Sequence, residues 1–292
     1  MNSSSSLLIN ATALGRASSY PKTYDPELLQ PIPRSLNRDR LGLGSALPFD
    51  GYDLWNCYEI SFLNANGLPV AALGSISIPS SSPNLIESKS LKLYLNSLNF
   101  TRYDSLSDVV LAIRRDLCEK LEVGESAVDV RLSPATCGFE DLYIDRNCKE
   151  NASCVYDCLE TEASDISIDS YDYDPRLLEL DGRHEIKEER LCSHLLKSNC
   201  LVTGQPDWGS VFISYKGPKI SRPSLLKYLV SFRNHNEFHE MCVERIFTDI
   251  MRRCHPESLT VFARYTRRGG IDINPFRSNY EKRHNVGRQI RQ

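Results

Sequence analysis

Hydrophobic positions along this chain fall into two successive blocks that follow the same order of elements. In the first, a strand-like run around residues 70–78 leads to Ser90-Leu91-Lys92-Leu93-Tyr94-Leu95-Asn96-Ser97. A helical stripe follows at Leu106, Val109, Val110, Ile113, Leu117 and Leu121. In the second, a strand around residues 210–215 leads to Ser224-Leu225-Leu226-Lys227-Tyr228-Leu229-Val230-Ser231, and the stripe falls at Val243, Ile246, Phe247, Ile250, Met251 and Cys254. Aligned without gaps, Ser90, Leu91, Tyr94, Leu95 and Ser97 coincide with Ser224, Leu225, Tyr228, Leu229 and Ser231. Behind each long helix come two more strand-like runs, 128–132 with 166–168, and 259–263 with 271–273. Each block therefore predicts β-β-α-α-β-β, an α+β unit with an antiparallel sheet and helices on one face.

The polar, proline-bearing stretch Tyr171-Asp172-Tyr173-Asp174-Pro175-Arg176 marks the join, giving halves at 1–175 and 176–292. An insertion at about 133–163 in the first half carries four of the ten cysteines. The length of 292 residues suffices for two such halves, and 25% charged with 41% apolar residues is the balance of an ordinary globular chain. No apolar run approaches the ~20 residues of a membrane helix, and the first residues lack the basic lead of a secretory signal, so the expected compartment is the cytoplasm, with no membrane partner.

Chemistry concentrates in three places. Cys200 and Asp207 bracket a turn-prone segment, and a thiol with a nearby carboxylate is a nucleophile with a proton donor. Phe238-His239-Glu240 stands at the head of a helical pattern with a second proton carrier and a second acid. Glu87-Ser88-Lys89-Ser90-Leu91-Lys92 lies in the other half, where Glu87 aligns with Ser221 and nothing aligns with Cys200, so each half would hold part of one site. The ten cysteines contain no C-x-x-C pair, which argues against a structural metal, and in a reducing compartment all ten are expected as thiols. Cys118, Cys242 and Cys254 fit buried helical positions, while Cys148, Cys154 and Cys158 form a looser cluster.

With those motifs in view, the chain resembles the long form of the NADPH-dependent 7-cyano-7-deazaguanine reductases, the nitrile reductases of queuosine biosynthesis. The resemblance rests on Glu87-Ser88-Lys89-Ser90-x-Lys92, on Cys200 with Asp207, on Phe238-His239-Glu240 and on Arg267-Arg268-Gly269-Gly270-Ile271, in the same order along the chain. It implies two tandem tunnelling-fold (T-fold) halves. It also implies a four-electron reduction of the nitrile of 7-cyano-7-deazaguanine to an aminomethyl group by two NADPH, through a thioimide on Cys200 protonated by Asp207. Ile86, Glu87, Ser88, His239 and Glu240 are the implied substrate residues, with His239 either sharing in proton handling or holding the substrate. Ser88, Lys89, Arg268 and Gly269 are the implied NADPH residues, with Lys92 assisting. No G-x-G-x-x-G fingerprint is present, since Gly42-Leu43-Gly44-Ser45-Ala46 runs into Leu47. The resemblance further implies a homodimer that acts on a small deazapurine, holds no metal and has no direct nucleic-acid partner.

Two other classes compete. A cysteine hydrolase of nitriles or amides would let water attack the same thioimide and would need no nicotinamide. An RNA-binding module is suggested by the eight Lys or Arg between Arg264 and Gln292, against Asp272 and Glu281, in a chain of net charge -3. Sequons at Asn10, Asn99 and Asn151 carry no weight in a cytoplasmic protein.

Overall fold

The computed structural model describes residues 21–136, 156–182, 185–282 and 286–292. Most of the cysteine-bearing insertion, with Cys137, Cys148 and Cys154, lies outside them. The chain forms two compact units. Unit 1 takes in Met1–Gly42, Tyr52–Lys149 and Arg267–Asp272, and unit 2 takes in Leu43–Gly51, Glu150–Thr266 and Ile273–Gln292. No described helix is long and apolar enough to cross a membrane.

In unit 1, the short strand β1 (Pro31–Pro33) precedes helix α1 (Ser35–Arg38), and the strands β2 (Asp50–Leu63) and β3 (Pro69–Pro79) form an antiparallel hairpin whose register slips between Cys57 and Ile60. β4 (Asn84–Ile86) pairs with β1, and its end feeds helix α2 (Ser88–Ser97). Helix α3 (Leu106–Leu121) follows, and then β5 (Asp129–Pro134), antiparallel to β3. Ser105 caps α3 by accepting the Asp108 N–H at 3.2 Å. The predicted stripe faces inward: Val109, Ile113, Leu117 and Leu121 are fully buried, each contributing about 2 kcal/mol by the usual area relation.

In unit 2, β6 (Asp157–Cys158) runs parallel to β7 (Ile186–Ser193), and β7 is antiparallel to β9 (Pro206–Pro218). The three-residue strand β8 (Lys197–Asn199) also pairs with β9. Helices α4 (Arg222–Val230) and α5 (His239–Cys254) lead to β10 (Ser258–Tyr265), which pairs with β9 and with β11 (Ile271–Ser278). Val243, Ile246, Phe247, Ile250 and Cys254 of α5 join one buried cluster with Leu225, Leu229, Val211, Ile213 and Val261.

The repeat seen in the sequence proves to be a repeated packing device. In unit 1, Tyr94 of α2 and Tyr24 of the preceding segment both donate to one Asp116 oxygen, at 2.6 and 2.5 Å. In unit 2, Tyr228 of α4 and Tyr173 both donate to one Asp249 oxygen, at 2.6 and 2.7 Å. Ser97 Oγ accepts the Asp25 N–H as Ser231 Oγ accepts the Asp174 N–H, and Ser90 Oγ accepts the Gln30 N–H as Ser224 Oγ accepts the Glu179 N–H. The aligned Tyr and Ser residues therefore match because each builds the same joint. Even the helix ends agree, since α3 and α5 both stop at a non-glycine residue in the left-handed region, Glu122 (φ 57°) and His255 (φ 49°).

Three expectations change. Residues 166–168 form no strand; Ile166 and Ile168 instead pack against the unit 2 core, so the first block lacks its last expected strand. The Tyr171–Arg176 stretch, expected to carry the join, lies inside unit 2, with Tyr173 edge-on to Tyr228 and Phe232. Two arginines of the basic tail are internal, and the exposed Arg291 is tied to the main chain. Arg277 is wholly buried on Glu244 at 2.9 Å, Arg264 is buried and donates to the Val286 carbonyl at 2.5 Å, and Arg291 donates to the His194 carbonyl at 2.7 Å. The local excess of positive charge in the sequence thus overstates what reaches the surface.

Candidate active site

Cys200 and Asp207 sit at one end of a tight hairpin in unit 2. The register of β8 and β9 pairs Asn199 with Pro206 and Ser198 with Asp207. The connection closes through the Cys200 N–H to the Gln205 carbonyl at 2.8 Å and the Gly204 N–H to the Cys200 carbonyl at 3.0 Å. Gly204 has φ 66°, a conformation a side chain would strain. Cys200 directly follows β8, two residues after Ser198, whose cross-strand partner is Asp207. A seven-residue separation in sequence thus becomes a short one in space. Both side chains are shielded, with Cys200 7% and Asp207 6% exposed.

The same strand is laced to the loop that enters α5. The Asn199 N–H donates to the His235 carbonyl at 2.8 Å, and the Glu237 N–H donates to the Asn199 carbonyl at 3.1 Å. Lys197 Nζ and Asn199 Nδ2 both donate to the Arg233 carbonyl, at 2.6 and 3.2 Å. Glu237 is in turn clamped by Arg245 (2.6 and 2.9 Å) and by His235 (3.0 Å). That lacing delivers the first turn of α5 to the hairpin: His239 Nε2 lies 3.4 Å from Asp207 Oδ2. The imidazole is stacked flat on Tyr265, centroids 3.9 Å apart and planes 5° off parallel. Glu240, in the same turn, is 2% exposed.

Behind Asp207 stands a buried polar set that the sequence reading did not name. The polar atoms of Ser198, Cys242 and Tyr265 face one another. Burial foremost, then Cys242 and the Asp207 carboxylate, pushes the Tyr265 phenol well above its ordinary range, so it stays a donor. The Ser198 and Tyr265 hydroxyls and His239 Nδ1 are enclosed yet make no hydrogen bond of ordinary geometry with the described residues. Buried atoms with unspent hydrogen-bonding capacity beside a thiol and an acid are what a polar ligand would complete. Ser198 was legible, two residues before Cys200; Tyr265 carried no signal beyond an aromatic ending a strand.

In unit 1, the Glu87 carboxylate caps α2, accepting the Lys89 N–H at 2.7 Å, the Ser90 N–H at 2.8 Å and the Ser88 hydroxyl at 3.3 Å. Its pKa is raised because burial outweighs these hydrogen bonds. In unit 2 the corresponding cap is Ser221, whose Oγ accepts the Ser224 N–H at 3.4 Å. A serine therefore suffices for the cap, and the second carboxylate oxygen of Glu87 exceeds what the helix requires. Ile86 is buried just before it. The Arg268–Gly269 turn also belongs to unit 1: Arg268 and Ile271 exchange backbone hydrogen bonds at 2.9 and 3.1 Å, and Gly269 and Gly270 have φ 59° and 77°. Lys92 Nζ ties α2 to this turn, donating to the Gly269 carbonyl at 2.7 Å and meeting Glu59 at 3.2 Å. The predicted cofactor residues Ser88, Lys89, Arg268 and Gly269 are thus gathered by one lysine, which itself serves as the tie.

The predicted residues resolve into two groups, Cys200, Asp207, His239 and Glu240 in unit 2 and Ile86, Glu87, Ser88, Lys89, Arg268 and Gly269 in unit 1. A shielded thiol, an acid and a stacked imidazole are the kinds of group that thiol-nucleophile chemistry uses. Residues 20–132 match the family model described as nitrile reductase, 7-cyano-7-deazaguanine-reductase N-terminal, and residues 206–284 match that of the QueF-like proteins. The chain belongs to this nitrile reductase family and is an oxidoreductase.

Proposed function

We propose that the protein reduces the nitrile of 7-cyano-7-deazaguanine to the aminomethyl group of 7-aminomethyl-7-deazaguanine, consuming two NADPH, within queuosine biosynthesis. The observation that supports this reading is the β8–β9 hairpin, which pairs Ser198 with Asp207 two residues before Cys200, with His239 at 3.4 Å from that acid. As the Cys200 sulfur adds to the nitrile carbon its proton passes to the Asp207 carboxylate, and Asp207 gives a proton to the nitrogen, so the product of addition is a neutral thioimide. After reduction at that carbon the C–S bond breaks, the thiolate leaves and an imine remains for the second reduction. His239, held flat by Tyr265, is positioned to reprotonate Asp207 between steps. Glu240 and Glu87 are the two carboxylates assigned to the ring N–H and amino group of the base, since paired acceptor oxygens match paired donors.

The reductant would be held by Ser88, Lys89, Arg268 and Gly269. The donor set fits a dinucleotide phosphate: two cations, a hydroxyl and a glycine turn whose backbone can approach closely. NADPH bound there supplies hydride. We further propose tandem T-fold halves and action as a cytoplasmic homodimer on a small deazapurine, without direct contact to nucleic acid.

Two measurements test the reading. Mixing the protein with the nitrile and no NADPH should give an adduct of the full substrate mass, lost in Cys200→Ala; the same adduct on Cys200→Ala would show the nucleophile to be misassigned. With NADPH, two equivalents should be oxidised per nitrile, whereas acid or amide formed without NADPH would establish the hydrolase instead.

A further inference from the structure

A second cluster of sulfur and nitrogen donors lies in unit 2, and the proposed chemistry does not use it. β6 and β7 run parallel with Cys158 paired to Cys192, and His194 follows Cys192 by two residues along the chain. One ligand atom from each of Cys158, Cys192 and His194 lies within 4.8 Å of the other two. A tetrahedral site with zinc–sulfur bonds of ~2.3 Å sets its ligand atoms roughly 3.7 Å apart, so only a small closure separates these three from coordination distance. Glu160 stands beside them, one carboxylate oxygen 3.2 Å from the Cys158 sulfur. Its other oxygen accepts the Ser193 hydroxyl at 3.2 Å and the His194 backbone N–H. The His194 ring is fixed through Nδ1, 2.8 Å from Ser210 Oγ, the outer-shell support that metal-bound imidazoles have.

We propose that Cys158, Cys192 and His194, with Glu160 as the fourth donor, bind one thiophilic divalent cation of the zinc type. The ion would clamp β6 and the turn at Leu159–Glu162 onto β7. Such a clamp has a physical purpose there, since β6 contributes only two residues of pairing. Ligand spacing hid this site, because its donors come from two neighbouring strands and not from one C-x-x-C turn.

The chemistry balances without a co-reactant: two thiols and M²⁺ give a bis-thiolate complex and two protons. Another His-Glu-Cys group, at His235, Glu237 and Cys242, meets the same distance condition but carries nothing, because the Arg245 guanidinium already holds the Glu237 carboxylate.

The test uses the full-length reduced protein, stripped with chelator and titrated with cobalt(II) chloride. Tetrahedral thiolate coordination should appear as a sulfur-to-cobalt charge-transfer band saturating at about one equivalent, displaced by zinc and accompanied by release of two protons. Cys158→Ser and Cys192→Ser should each abolish the band, whereas Cys200→Ser should keep it. In the unmutated protein, where folding of variants is not at issue, zinc should slow alkylation of Cys158 at least tenfold, read by peptide mass spectrometry. Absence of the band, its persistence in Cys158→Ser and Cys192→Ser, unchanged alkylation of Cys158, or a Cys158–Cys192 disulfide in freshly reduced protein would each overturn the proposal.

Discussion

Replacing Glu237 by glutamine tests how the loop entering α5 is held against the strand that carries Cys200. The Glu237 side chain is 6% exposed and makes its contacts with Arg245 and His235. Burial alone would raise its pKa, but the hydrogen bonds and charges of Arg245 and His235 outweigh burial and bring it from the ordinary 4.5 down to about 2. A carboxyl whose pKa falls on folding stabilises the native state above its unfolded pKa and loses that contribution as pH falls toward the folded value. A shift of about 2.5 units at ~1.36 kcal/mol each amounts to about 3 kcal/mol, lost between roughly pH 4.5 and pH 2. The cost of breaking a buried pair by removing one partner, about 3–5 kcal/mol, is of the same size. Glu237→Gln should therefore lower the unfolding free energy by about 3 kcal/mol near neutral pH, and the gap to the parent should shrink to about half by pH 3. Urea unfolding of both proteins at several pH values, followed by tryptophan fluorescence, measures that gap. A gap that stays constant from neutral pH to about pH 3 would mean the charge of Glu237 contributes nothing, and the reasoning fails.

Removing Lys89 or Arg268 should raise the Michaelis constant for NADPH at low salt, where charge contacts count most, while nitrile capture by Cys200 persists; unchanged NADPH kinetics in both Lys89→Ala and Arg268→Ala would remove these residues from the cofactor assignment. Glu87→Ser should keep stability within about 1 kcal/mol of the parent, because serine is a competent cap as at Ser221. In a Cys200→Ala background the same change should weaken binding of the deazaguanine roughly 5- to 150-fold, from about 1–3 kcal/mol of lost hydrogen bonding, and calorimetric affinity within a factor of two of that background would show that Glu87 does not hold the base.

The long helices were legible because burial imposes a 3.6-residue period, and Val109, Ile113, Leu117 and Leu121 face inward as that period requires. Residues 166–168 misled because an apolar pair can satisfy its burial by packing on a core without joining a sheet. The nearness of Cys200 to Asp207 was readable along the sequence, but the hairpin register that pairs Ser198 with Asp207 was not. His239 reaches Asp207 through the Asn199, His235 and Glu237 backbone bonds, and main-chain lacing leaves no mark on a hydropathy pattern. Tyr24-Asp25-Pro26-x-Leu28-Leu29 and Tyr173-Asp174-Pro175-x-Leu177-Leu178 are a further repeat in plain view in the sequence, and their meaning appears only when each tyrosine is seen on its buried aspartate. The tail misled differently: Arg264 and Arg277 count as surface charge in a sum over residues and are core side chains in the fold.

The duplicated joint also explains where the two units were able to diverge. Tyr24, Tyr94 and Asp116 in one unit, and Tyr173, Tyr228 and Asp249 in the other, fix how the opening segment, the short helix and the long helix meet. Those bonds do not involve the residue that caps the short helix, so the identity of its cap is left open. Unit 2 fills that cap with Ser221, the economical choice, whereas unit 1 fills it with Glu87, fully buried and with a raised pKa. Burying a carboxylate where a hydroxyl would cap the helix is unfavourable for stability alone, because desolvation of the charge exceeds what two backbone N–H groups return. The excess is accounted for if the acid has a second task, and a base presenting two parallel donors is the partner whose binding would recover that cost. The joint thus carries the fold in both units, and the caps and the β8–β9 hairpin carry the difference between them.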